Sequence, residues 1–145
     1  MHIEVLPPVL VLHLKQFLYD AAVDDIVKIS KPVQFVPELE FPLEIMAAIV
    51  GKSAEPVHYK LCGVLYCHGN SESAGGQYYT VDVLHPNLNR VRDSGEAWLH
   101  IDGNAVSMVQ HEEMFGWDEN DQSEDPSKDQ CVYMLFYCRT VSAQI

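Results

Sequence analysis

Apolar and polar positions along this chain fall into short runs with the period of strands rather than helices. Val9-Leu10-Val11-Leu12-His13-Leu14 is almost continuously apolar, and Lys15-Gln16-Phe17 then alternates. That pattern predicts a strand buried on both faces that emerges at its end, with Pro7-Pro8 setting its start. Residues 20–25 are polar and turn-like. Residues 35–43 carry Pro37 and Pro42 and are expected to be extended and irregular, because proline has no N–H and restricts its predecessor. A short helix is expected over residues 43–50, ended by Gly51. Residues 58–68 are rich in strand formers and are closed by Gly69-Asn70. Residues 71–76 are small and polar, residues 78–84 alternate as a strand does, and residues 86–95 read as a loop. Residues 98–101 and 105–109 predict a hairpin around Asp102-Gly103. Residues 131–138 form a final apolar strand, and no internal repeat interrupts the order. Many strands and few helix signals predict an α+β domain dominated by antiparallel sheet, one domain over residues 1–145.

Composition narrows the function classes. With 145 residues, 48% hydrophobic and 21% charged, the chain is long and apolar enough to build a core without metal or disulfide staples. The formal charge of -12 repels phosphate, which argues against nucleic acid and anionic membranes as partners and allows a basic protein. Residues 112–129 contain eight acids and one lysine and read as a solvated acidic loop. No apolar run approaches the roughly 18 residues that span a bilayer. The first apolar run is preceded by Pro7-Pro8 and followed by no small-residue cleavage site, so it reads poorly as a signal peptide. The cysteines Cys62, Cys67, Cys131 and Cys138 form no Cys-x-x-Cys. Two disulfides are arithmetically possible, but free core thiols in a reducing compartment are the simpler reading. Neither a metal nor a cofactor is expected. A nucleophile elbow and a phosphate-binding glycine loop are also missing.

Five pieces of the sequence, in order, resemble the C-terminal part of the ubiquitin-specific protease catalytic domain. Leu6-Pro7-Pro8-Val9-Leu10-Val11-Leu12-His13-Leu14-Lys15-Gln16-Phe17 resembles a strand motif of that family, in which arginine usually stands at the Gln16 position. Tyr59-Lys60-Leu61-Cys62-Gly63-Val64-Leu65-Tyr66-Cys67-His68-Gly69 resembles its next motif. Gly75-Gly76-Gln77-Tyr78 resembles the Gly-Gly-His-Tyr box. Trp98-Leu99-His100-Ile101-Asp102-Gly103 resembles the Trp-then-Asp-Asp motif, and Val132-Tyr133-Met134-Leu135-Phe136-Tyr137 the closing strand. Thr80, Asp82 and Val83 fit a Gly-Gly-His-Tyr-Thr-x-Asp-Val wording if one residue is inserted near Tyr79.

The resemblance implies a papain-like cysteine protease fold and cleavage after the C-terminal glycine of ubiquitin. That chemistry needs a thiolate, an imidazole to take its proton and an Asp or Asn to orient the imidazole. The resemblance places the family's nucleophile in a Cys box upstream of these motifs, and none of the four cysteines matches it. Gln77 stands for the family histidine, and its amide cannot serve as a general base near neutral pH. Asp102 matches the third triad member, and Gly103 replaces the acid that normally follows. The chain alone is therefore expected to be inert toward isopeptides.

Of the other histidines, His13 matches a structural strand histidine. His68 stands at the mouth of the 69–76 loop, and His100 shares a sheet face with Asp102. A His68, Asp102 and Cys67 grouping is disfavoured, because neighbouring strand residues point to opposite faces. Gly75 and Gly76 either border the channel for a ubiquitin tail or form a plain turn, with Tyr78 and Tyr79 lining the groove or packing on the sheet. Trp98 matches a core position, whereas Trp117 is the better interface candidate.

The reading that follows is a truncated, inactive relative that binds protein, ubiquitin included, in the cytoplasm or nucleus. Its exposed half-domain face would be covered by a partner chain or a homodimer, or be made polar. The alternatives are a piece of a working deubiquitinase completed by a Cys-box half, and the same fold reused for signalling or defence.

Overall fold

The computed structural model describes residues 5–29, 31–42, 56–69, 77–86, 96–116 and 130–140. Its elements are β1 (Val9–His13), β2 (Phe17–Asp20), β3 (Asp25–Lys28), β4 (Glu38–Phe41), β5 (Val57–His68), β6 (Tyr78–His85), β7 (Ala97–Asp102), β8 (Ala105–Val109), α1 (His111–Phe115) and β9 (Cys131–Arg139). Among the described residues a seven-stranded sheet runs β1-β9-β5-β6-β7-β8, with β4 on β5 and every pairing antiparallel. The expected sheet-dominated α+β architecture is what the molecule has.

β5 is the centre. Twelve residues at about 3.4 Å each give it enough length to take β9 along one edge and both β4 and β6 along the other. Being flanked on both edges, it is buried where the sequence is most apolar: Tyr59, Leu61, Val64 and Cys67 are essentially sealed from solvent. Tyr59, Leu61 and Val64 form the core with Trp98, Leu135 and Tyr137, and Phe35, Leu84, Met114 and Phe115 pack onto it. The buried tyrosines keep their hydroxyls satisfied: Tyr59 donates to the Pro7 carbonyl at 2.5 Å and Tyr137 to that of Val36 at 2.7 Å.

Several local expectations change. β1 is not buried on both faces. Among the described residues it is an edge strand paired with β9, and Val9 and Val11 are 49% and 47% exposed while Leu10 and Leu12 face the core. Residues 38–41 of the proline-bearing stretch are regular enough to add β4 to the sheet. The turn at residues 20–25 closes a separate hairpin of β2 and β3, with the Asp20 carboxylate accepting from the Ala22 N–H at 2.9 Å and Asp24 at φ 50°. The hairpin of β7 and β8 turns on Gly103-Asn104, with Asp102 still paired to Ala105. Gly103 takes φ 58°, which glycine adopts without a Cβ penalty. The acidic stretch does not begin as a loop: residues 111–115 are helical, and the Glu113 carboxylate accepts the Gln110 N–H at 2.9 Å. The rest of that stretch and the helix expected over residues 43–50 lie outside the described residues.

Gln16, the departure from arginine in the first motif, is 3% exposed and ties three segments together. Its Nε2 donates to the carbonyls of Lys31 at 3.0 Å and Val132 at 3.4 Å, and its Oε1 accepts the Lys31 N–H at 3.1 Å. Truncation strands these backbone groups, so Gln16→Ala should cost about 1–3 kcal/mol. Urea unfolding checks this: the midpoint should fall with the slope unchanged.

Candidate functional site

One face of the sheet collects the chemistry-bearing side chains. His68 ends β5 and is the cross-strand partner of Tyr78, the first residue of β6. Thr80 and Asp82 follow at the two-residue spacing that returns to the same face. Asp82 is paired with His100 on β7, and Asp102, two residues beyond His100, joins that face where β7 ends.

The polar contacts are specific. The imidazole of His100 lies with Nδ1 2.6 Å from Asp82 Oδ1, and Asp82 is only 4% exposed. The Tyr66 hydroxyl also hydrogen-bonds this carboxylate, and burial first, with the carboxylate second, raises the phenol above its ordinary range. His68 Nε2 lies 2.7 Å from the hydroxyl of buried Thr80, and its ring stacks on Tyr78 at 4.5 Å and 5°. Burial, then the Lys28 ammonium, hold the His68 imidazole below the usual 6.5; the Asp102 carboxylate opposes them and His100 adds to them. Lys28 reaches this end of β5 from β3, donating to the carbonyls of Cys67 at 3.3 Å and Gly69 at 2.8 Å.

The structure brings Tyr78, Asp102, His68 and His100 to one face. Gln77 is exposed and stands just before β6. Gly75, Gly76 and Trp117 lie outside the described residues. Cys67 is cross-strand to Tyr79 and therefore points away from its neighbour His68, as strand alternation requires. Tyr79 instead meets Tyr133, ring centres 5.6 Å apart. His13 packs edge-on against Tyr133 at 4.8 Å, and Trp98 is a core residue against Phe115.

Burial governs the thiols that the sheet encloses. Cys67 is fully buried, Cys62 is pushed up to about 12 by burial and then by the Cys138 thiol, and burial also raises Cys131. Among the described residues no His, Cys, Asp or Glu group is arranged to hold a metal, and no helix is long and apolar enough to cross a membrane.

Lys28 and the Asp82–His100 pair were not read as site residues from sequence. Lys28 and Cys67 are 39 positions apart, and no local signal announces the contact. Asp82 inside an otherwise apolar alternating strand was the available clue. A cavity of about 650 Å³ lies elsewhere, against Phe35, Tyr66, Met114, Phe115 and Val132, and none of Gln77, Tyr78 or Asp102 lines it.

The sequence profile described as ubiquitin carboxyl-terminal hydrolase matches residues 1–137. The chain belongs to this family. It is 37% identical to the probable ubiquitin carboxyl-terminal hydrolase 3 of Schizosaccharomyces pombe over 145 residues, 96% of this chain and 26% of that protein. It is 34% identical to ubiquitin carboxyl-terminal hydrolase 10 of Rattus norvegicus over 139 residues, 94% of this chain and 15% of that protein. It thus spans about a quarter or less of the length of these relatives. The fold is similar to that of the SAGA Ubp8/Sgf11/Sus1/Sgf73 DUB module bound to ubiquitin aldehyde, with TM-score 0.68, 21% identity, and 97% of this chain and 26% of that one covered. The Ubp8-Sgf11-Sgf73-Sus1 SAGA DUB module gives TM-score 0.65 at 21% identity, covering 97% of this chain and 26% of that one. The chain is thus a ubiquitin-carboxyl-terminal-hydrolase relative corresponding to the C-terminal part of a ubiquitin-specific protease domain.

In this relative the depressed His68 has a stability consequence. Its folded-state value lies below the unfolded one, so as pH falls below about 6.5 the unfolded chain takes the proton first and stability drops. Removing the exposed carboxylate that opposes the depression should lower His68 further. An NMR pH titration of Asp102→Asn should show its imidazole titrating below the wild-type value, and an unchanged or higher value would contradict the arrangement.

Proposed function

We propose that this chain is a catalytically inert member of the family that acts by binding protein, with the ubiquitin tail as its ligand at the Tyr78–Asp102 face. The observation that supports this most is the register of β6. Counted from Gly75-Gly76, the family histidine falls on Gln77; counted from Thr80 and Asp82, it falls on Tyr78. The ladder from Gly63↔Val83 to His68↔Tyr78 runs without a shift, which supports the second count. Tyr78 then stands in the histidine's place on the face with Asp102. Neither an amide nor a phenol offers an imidazole lone pair.

Of the two nearby imidazoles, His68 is bonded to Thr80, and His100 is oriented by Asp82 with Cys67 turned to the opposite face of the sheet. The likeness to a module bound to ubiquitin aldehyde supports ubiquitin as the ligand class. Four free thiols and such a ligand fit a cytoplasmic or nuclear setting. The exposed Val9 and Val11 of edge strand β1 support a second copy or a partner chain on that side.

A second reading rests on chain length. On it this segment is the C-terminal portion of a cysteine-dependent deubiquitinase and works with a Cys-box half; it matches 26% and 15% of its relatives' length. Titrating isotope-labelled ubiquitin with this chain tests the binding reading. Shifts confined to the ubiquitin tail are expected, with no hydrolysis of a ubiquitin C-terminal amide above buffer. No shifts at high protein excess would end it. Turnover on adding the missing half to the unaltered chain would favour the second reading instead.

A further inference from the structure

All four cysteines lie on β5 and β9, and the ladder between these strands sorts them into two pairs. Cys67 and Cys131 are direct Cα partners, and both are buried. Near the opposite end, Cys62 occupies the register shift between the Leu61↔Tyr137 and Gly63↔Phe136 pairs, while Cys138 sits opposite Lys60. The Cys62 thiol donates to the Phe136 carbonyl at 3.3 Å and also meets the Cys138 thiol within hydrogen-bond reach. Cys62 and Cys138 are half-buried. Cys67 and Cys131, as facing residues, have Cα atoms about 4.5–5.5 Å apart, inside the roughly 4.4–6.8 Å span that a disulfide bridges, whereas Cys62 and Cys138 are offset in the ladder and are brought together by their thiols at the register shift.

We infer that the β5–β9 junction is a reversible oxidation site, forming the Cys62–Cys138 disulfide first and Cys67–Cys131 second. Access sets the order, because a small disulfide oxidant reaches the half-buried pair in the folded protein and the sealed pair only when the ladder opens. With a low-molecular-weight disulfide such as oxidised glutathione, the Cys138 thiolate attacks one sulfur and releases one glutathione thiolate. Burial keeps Cys62 largely protonated, so the slower second step is attack of its minor thiolate fraction on the Cys138 sulfur of the mixed disulfide, which releases the second. The two cysteine protons end on two glutathione thiols. The protein pair loses two electrons, and the glutathione disulfide gains them. The bond ties together the two strands that carry His68 and the core, and a thiol reductant reverses it. This inference is independent of the ubiquitin-binding reading.

Four cysteines allow three fully paired connectivities, and the structure selects one. The native chain is incubated with oxidised glutathione, quenched by alkylation at intervals, digested and mapped without reduction. The expected first product is a peptide pair joined through Cys62 and Cys138, followed by Cys67–Cys131 on longer exposure or in mild denaturant. Cys62→Ser should stop at a glutathione adduct on Cys138, with the inner pair still slow. Links of Cys62 to Cys67 or Cys131, the inner bond appearing first, or wild-type adducts that never resolve into an intramolecular bond would each overturn the proposal.

Discussion

The sheet is organised around β5, which is hydrogen-bonded along both edges. Tyr59, Leu61, Val64 and Cys67 can be sealed only because β9 lies on one side and β4 and β6 on the other. Burying such a strand at an open edge would strand a row of backbone donors and acceptors. The same pairing sets geometry at a distance. A one-residue slip of β6 on β5 would move Tyr78, Thr80 and Asp82 to the opposite face and part them from His68 and His100. Because the core fixes the register of β5, it also fixes which side chains can meet at the face where Asp102 stands.

The electrostatics of that face are set by a buried carboxylate. Asp82 has little water around it and is satisfied by His100 and Tyr66 instead. A buried carboxylate without such donors would be costly, so the Asp82–His100 contact adds to the ladder that holds β6 to β7. His68 is held in a different way, stacked on Tyr78 and bonded to Thr80, with burial and then the Lys28 ammonium discouraging its protonation. Both imidazoles are engaged with neighbours, and Asp102 is left at the exposed end of β7. On the proposed reading, a face built this way recognises a ligand rather than moving its protons.

Much of this was legible in the sequence. The strand alternation of residues 78–84, the apolar runs of residues 58–68 and 131–138, and the turn residues at Gly103 all became what their patterns predict, because strand period and turn chemistry are local. Five motifs in order were enough to indicate the family. Less legible were contacts between residues far apart in the chain. Gln16 looks like an ordinary polar residue after an apolar run, yet it is a buried bracket to Lys31 and Val132. Val9 and Val11 read as core residues yet face solvent, since burial depends on whether a second layer covers a strand, not on its own apolarity.

Residue type and spacing alone gave β1 and β5 to β9, the antiparallel class, the family likeness and a glutamine rather than a histidine after Gly75-Gly76. Each of these rests on residue type and spacing within about a dozen positions. Only the tertiary structure decided that β1 lies at an edge, that Lys28 reaches the end of β5, that Asp82 is closed by His100 and that the cysteines fall into two cross-strand pairs. Those facts depend on which strands become neighbours and in what register. Register is chosen by the packing of the whole sheet, and no single strand carries it in its own residues.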